Sequence, residues 1–106
     1  MDRPLRISTL NCWNISPPYE ERIALIREGI SALRPDVIGL QEIIVRGEGF
    51  DQGKDILDGL GYTWIYGAAT RWDEHGNTVP YDAEGDAFGN LIASRWPIIR
   101  SEVRQL

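Results

Sequence analysis

Apolar and polar positions fall into blocks along the chain, and the repeat of each block suggests its element. Leu5 to Leu10 is a short run with β-branched Ile7 and Thr9, closed by polar Asn11. That pattern predicts a buried strand. Ile23, Ile26, Ile30 and Leu33 then recur at steps of three and four, which puts one apolar stripe on a helix. Ser16-Pro17-Pro18 marks its start. Ser16 can cap free amides, Pro17 suits the first helical position, and Glu20 and Glu21 favour the positive end of the helix. Pro35 biases Arg34 away from helical geometry and ends the helix near Leu33. Asp36 to Leu40 follows as a second strand, which Ile43 to Val45 extends. Strand, helix and strand in this order predict a βαβ unit with parallel strands.

Gly47 and Gly49 loosen the chain into a loop. A second helix is expected over Asp51 to Leu60, with Ile56, Leu57 and Leu60 facing inward and Gly61 as its stop. Tyr62 to Tyr66 reads as a third strand. Residues 68–88 show no periodicity and are expected to form a long acidic surface loop. Leu91 to Ala93 and Ile98 to Val103 read as two strands joined through Arg95-Trp96-Pro97.

Composition narrows the class. At 106 residues and 42% apolar content the chain suits one domain with a core. A single Cys excludes an internal disulfide, and a single Cys with a single His excludes a Cys/His zinc site made by this chain alone. No apolar run reaches the length of a membrane span, and the opening MDRPLRIST lacks the apolar stretch of a signal peptide. A cytoplasmic protein is expected. The net charge of −5 argues against a nonspecific nucleic-acid binder. It is uneven: Asp73, Glu74, Asp82, Glu84 and Asp86 against Arg71 give −4 between residues 71 and 90.

In an open α/β sheet, ligands bind beyond the carboxyl ends of parallel strands. Asn11 and Glu42 stand at those ends, and an amide beside a carboxylate suits a hard cation such as Mg2+. The same residues also read as a turn Asn and a solvated strand-end carboxylate. His75, the one His, sits in turn-like Asp73-Glu74-His75-Gly76-Asn77 and reads as solvated rather than as a general base. Asp82-Ala83-Glu84-Gly85-Asp86 alternates acids but lacks the spacing and closing Glu of a calcium loop, so it too reads as solvated. Cys12 reads as a buried thiol. Trp13, beside Asn11, could stack on a base, but its position after a buried strand favours the core.

Three segments together change the weighting. Leu5-Arg6-Ile7-Ser8-Thr9-Leu10-Asn11, Pro35-Asp36-Val37-Ile38-Gly39-Leu40-Gln41-Glu42 and Gly89-Asn90-Leu91-Ile92-Ala93-Ser94-Arg95-Trp96-Pro97-Ile98 resemble, in order, three blocks of the endonuclease/exonuclease/phosphatase superfamily. The resemblance implies a phosphodiesterase or phosphomonoesterase that uses Mg2+, with Mn2+ as a substitute. It implies that Glu42 holds the metal, and that Asn11 positions the phosphate and the metal's water shell. Asn90 is either a residue orienting a catalytic group or a strand residue that satisfies a backbone group. Leu10-Asn11-Cys12-Trp13 resembles the sphingomyelinase branch, although four residues do not fix a substrate. The family's C-terminal half carries an Asp-x-Asn pair and a closing Asp-His, and neither occurs in this sequence.

The expected fold is therefore α/β (α+β), half of a four-layer α/β-sandwich, with one mixed sheet and helices on one face. Residues 1–106 are expected to be the N-terminal portion of such a domain, inactive alone and prone to self-associate through the uncovered sheet face. The substrate is a phosphate ester of unspecified class. A non-catalytic phosphate- or metal-binding module and a structural fragment that keeps only the fold are the alternatives.

Overall fold

The computed structural model describes residues 3–47, 49–80 and 83–104. Its elements are β1 (Ile7–Asn11), α1 (Tyr19–Leu33), β2 (Val37–Val45), α2 (Gln52–Leu57), β3 (Thr63–Trp72), β4 (Thr78–Val79) and β5 (Asp86–Ser94). The strands form one mixed sheet in the order β1-β2-β5-β3-β4. β1 and β2 are parallel, and the other neighbours pair antiparallel. The predicted βαβ unit and the mixed sheet are both present.

Both helices pack on one face of the sheet. Ile23 and Ile30 of α1, Ile56 and Leu57 of α2, Ile38, Leu40 and Ile43 of β2, and Leu91 and Ala93 of β5 make one buried cluster. The α1 stripe stops a turn early, because Leu33 is 63% exposed. There the chain turns left-handed at Arg34, whose N–H bonds Ile30 O, and Arg6 Nη1 donates to Leu33 O at 2.9 Å. Ser16 does not cap α1, since its amide and hydroxyl go to Asn14 Oδ1 and Pro18 holds the cap position. α2 is shorter than expected. Asp51 caps it by accepting from Lys54 N at 3.1 Å, and positive φ at Gly59 and Gly61 prevents its continuation.

Three other expectations are corrected. β1 is an exposed edge strand, with Ile7 67% exposed, because only one neighbour pairs with it and the helices cover one side. Residues 68–88 are not a loop: within the described part of that stretch β3 runs on to Trp72, β4 follows, and β5 begins at Asp86. The turn is Asp73 to Asn77, where Asp73 N donates to Asn77 O at 2.9 Å and Gly76 has positive φ. A bulge between Ala68 and Thr70 breaks the alternation that would have marked the strand. Asp82 lies outside the described residues. Finally, Ile98 to Val103 is not a strand. It crosses the helix-free face, with Val103 against Gly67, and a cavity of about 620 Å³ lies between it and Ile65, Asn90 and Ile92.

At the start of β2, buried Asp36 fastens two other segments to its own strand, the run before β1 and the chain after β5. Its carboxylate accepts from Arg3 at 2.7 and 2.8 Å, Arg95 Nη1 at 2.8 Å and Arg6 N at 2.8 Å. No helix among the described residues is long and apolar enough to cross a membrane.

Candidate functional site

The parallel register pairs Asn11 with Gln41, so the last residue of β1 and the middle of β2 reach one edge together. Glu42 does not follow β2, as the strand-end reading had it. It lies inside the strand, at a bulge. Leu40 pairs with Leu91 and Ile43 with Gly89, so residues 41 and 42 oppose the single residue Asn90. Glu42 adopts a left-handed φ of 58°. This backbone is unfavourable for a residue with a Cβ. It returns Ile43 to the buried face beside Leu40 and takes Glu42 out of the alternation. Glu42 is half-buried, and among the described residues its carboxylate has no hydrogen-bond partner.

The loop after β1 is built against that bulge. Cys12 N donates to Gln41 O at 2.8 Å and Asn14 N to Glu42 O at 3.0 Å. Trp13 N donates to Asn11 Oδ1 at 2.9 Å. Trp13 and Asn14 also hold left-handed φ, 54° and 43°. Arg22 reaches back from α1 to donate to Ser16 O at 2.6 Å, to Asn14 O and to Cys12 O, and its guanidinium lies 5.2 Å from the Trp13 ring centroid. Buried Gln52 joins the two halves of the edge: Nε2 donates to Asn14 O, and Oε1 accepts from Ile44 N, both at 2.9 Å.

Sequence reasoning missed Arg22 and Gln52. The signal for Gln52 was its place four residues before Ile56, on the same inward stripe of α2. Nothing in the spacing marked Arg22. Cys12 is buried as expected, and burial pushes its thiol up to about 11, with Arg22 opposing and Glu42 adding to the shift. Such a thiol is a poor nucleophile. Trp13 is corrected: it is 57% exposed and not part of the core.

Asn11, Glu42 and Asn90 thus fall in one row across β1, β2 and β5, at the level where β1 ends. The amide of Asn90 is exposed and makes no hydrogen bond among the described residues, so no backbone group there is satisfied by it. His75 is not brought in. It stands exposed in the β3–β4 turn, 3.4 Å from Glu74. Among the described residues no three His, Cys, Asp or Glu side chains converge on a metal position. The donor set present is one carboxylate and amides. Mg2+ uses one or two carboxylates and keeps waters and phosphate oxygens for its other positions. Glu42 therefore fits part of such a shell.

The family model described as Endonuclease/Exonuclease/phosphatase family matches residues 8–106. The chain belongs to the endonuclease/exonuclease/phosphatase family. Its fold is accordingly of the phosphoesterase and nuclease type, in a family whose enzymes are generally dependent on divalent metal. A solved endonuclease/exonuclease/phosphatase from Beutenbergia cavernae DSM 12333 is 28% identical, with a TM-score of 0.62 over 92% of this chain and 27% of that one. A family protein from Leptotrichia buccalis C-1013-b shares the fold at 12% identity and a TM-score of 0.66, over 92% of this chain and 39% of that one. An AP endonuclease from Archaeoglobus fulgidus shares it at 18% identity and 0.52, over 87% and 28%. The chain therefore spans between 27% and 39% of the length of these structures. No curated protein sequence matches it.

Proposed function

We propose that these residues form the metal- and phosphate-binding side of a Mg2+-dependent phosphodiesterase or phosphomonoesterase site, with Mn2+ able to replace Mg2+. The observation that carries this is the left-handed bulge, which takes Glu42 out of the alternation of β2 one residue beyond the partner of Asn11 and opposite Asn90. A bound divalent ion would offset charge that develops on the phosphoryl oxygens and leaving group. Glu42 would hold it through a carboxylate that has no competing partner among the described residues. Asn11 has its Oδ1 tied to Trp13 N, which leaves the NH2 end to donate to a phosphate oxygen. Asn90 offers a second amide across the bulge.

Water activation needs a base within hydrogen-bond reach of the nucleophile. Among the described residues the His75 side chain pairs with Glu74 in the exposed β3–β4 turn, apart from Asn11 and Glu42. We therefore propose that the 106 residues bind without turnover, which is also what a non-catalytic binding module would do. Phosphorus NMR of a phosphomonoester with Mg2+ tests the binding. Saturable, Mg2+-dependent shifts are expected, with affinity about tenfold or more weaker in Glu42→Gln. Equal affinity in the two proteins would remove Glu42 from the site. Bis(p-nitrophenyl) phosphate should not be hydrolysed above background. Mg2+-dependent turnover by these residues alone would show that the base lies among them.

A further inference from the structure

We propose that Trp13 is a stacking platform for a neutral planar group carried next to the phosphate, a nucleobase in chemical class. The inference rests on the reading of Glu42 and Asn11 as metal and phosphate groups, and it specifies the organic part of the ester. Trp13, in the loop that follows β1, is a large aromatic side chain left in solvent at 57% exposure. Holding it there takes left-handed backbone at two successive residues, Trp13 and Asn14. Strain of this kind persists where the surroundings over-determine it. Here they do: Asn11 Oδ1 holds the Trp13 amide, Asn14 Oδ1 holds Ser16, Gln52 holds Asn14 O, and Arg22 gathers three loop carbonyls.

The two faces of the ring differ. Arg22 covers one, and its donors are engaged with Cys12, Asn14 and Ser16, so it stays fixed on the ring. The other carries no ring or cation among the described residues. A cation on one face draws on the π density and disfavours a second cation, such as a quaternary ammonium, on the other. A flat neutral ring is favoured instead, because base–aromatic stacking needs only area and overlap. The backbone N–H of Trp13 donates to Asn11 Oδ1 at 2.9 Å, so the platform residue and the amide proposed to place the phosphate are joined in one turn. The acidity of the chain, −5 overall, suits one nucleotide better than a long polyanion.

The test is titration calorimetry of the chain in Mg2+ with adenosine monophosphate, ribose 5-phosphate and phosphocholine. Adenosine monophosphate should bind about tenfold more tightly than ribose 5-phosphate. That advantage should vanish in Trp13→Ala and persist in Trp13→Phe, with ribose 5-phosphate affinity unchanged in both. Equal affinity for the two ligands in the parent chain, an advantage that survives Trp13→Ala, or tightest binding of phosphocholine would each overturn the stacking role. Failure of ribose 5-phosphate to bind would strike the reading of Glu42 and Asn11 instead. Fluorescence quenching by adenosine alone, compared between the parent and Trp13→Phe, then decides the stacking role: quenching that depends on Trp13 supports it, and identical quenching overturns it.

Discussion

Glu42, Trp13 and Asn14 share one hydrogen-bonded patch and one unusual backbone state. Each such residue costs on the order of 1–3 kcal/mol, and the proposed site rests on their clustering in this patch. The place of Asn11 at the end of β1 was readable from the sequence because a polar residue closing an apolar strand is a local pattern, whereas Glu42 lies inside β2 rather than at its end. The left-handed state of Glu42 was not readable, since it depends on how β5 pairs across the bulge. Gln52 and Arg22 were missed for a related reason: their partners are loop carbonyls, which carry no sequence signature. Asp36 is the other decisive single residue. The Arg3 guanidinium first, then the Arg6 amide and Arg95, hold its carboxyl well below the usual carboxylate range despite its burial. A carboxyl lowered in the folded state stabilises fully above its ordinary value near 3.8, and that stabilisation is lost as pH falls towards the folded value. Melting temperature should therefore be insensitive to this group from pH 5 to 8 and fall below about pH 4. Asp36→Asn should melt lower at pH 7 and lose much of that acid dependence. Thermal scans of both proteins from pH 2 to 7 check this, and parallel curves would show that Asp36 does not carry the effect.

Among the elements, the βαβ half was legible and the antiparallel half only partly so. Ile23, Ile26 and Ile30 keep the helical period, and the run from Asp36 to Leu40 is apolar enough to stand out as a strand. By contrast, Gly67-Ala68-Ala69 offers three small residues where the strand alternation should show, and the bulge there shifts the phase of the rest of β3. The acids beyond Trp72 then read as loop, although they flank a tight turn. Ile98 to Val103 looked like a strand because apolar residues bracket it, but no neighbouring strand pairs with it. Gly89 sits between the two bulges, paired with Ile43 on one side and Ala68 on the other. A Cβ at Gly89 would fall on Gly67 O and within 2.9 Å of Ala68 Cα, both backbone atoms that cannot swing aside. Gly89→Ala should cost about 1–3 kcal/mol through the strand separation it forces. Urea denaturation measures this as a lower midpoint, and an unchanged midpoint would show that β3 and β5 have room to spare.

At the scale of the whole molecule, the helices leave one face of the sheet without a second layer. Ile92 is 60% exposed on that face, and Ile7 stands exposed on the free edge of β1. The segment 98–104 covers only the part around Gly67 and Asn90. Exposed apolar sheet surface and an open edge both promote association. Sedimentation equilibrium of the 106 residues should show concentration-dependent self-association that Ile92→Lys weakens. A compact monomer at all concentrations would mean that this face is adequately covered. The family fold is established by the match over residues 8–106, whereas the chemistry depends on whether one edge gathers a divalent ion. Mn2+ titration followed by amide NMR tests that claim most directly, because paramagnetic broadening reports position as well as affinity. Saturable broadening should centre on Asn11, Gln41, Glu42 and Asn90 and disappear in Glu42→Gln. Broadening centred on Asp73 and Glu74, with the strand edge untouched, would contradict it.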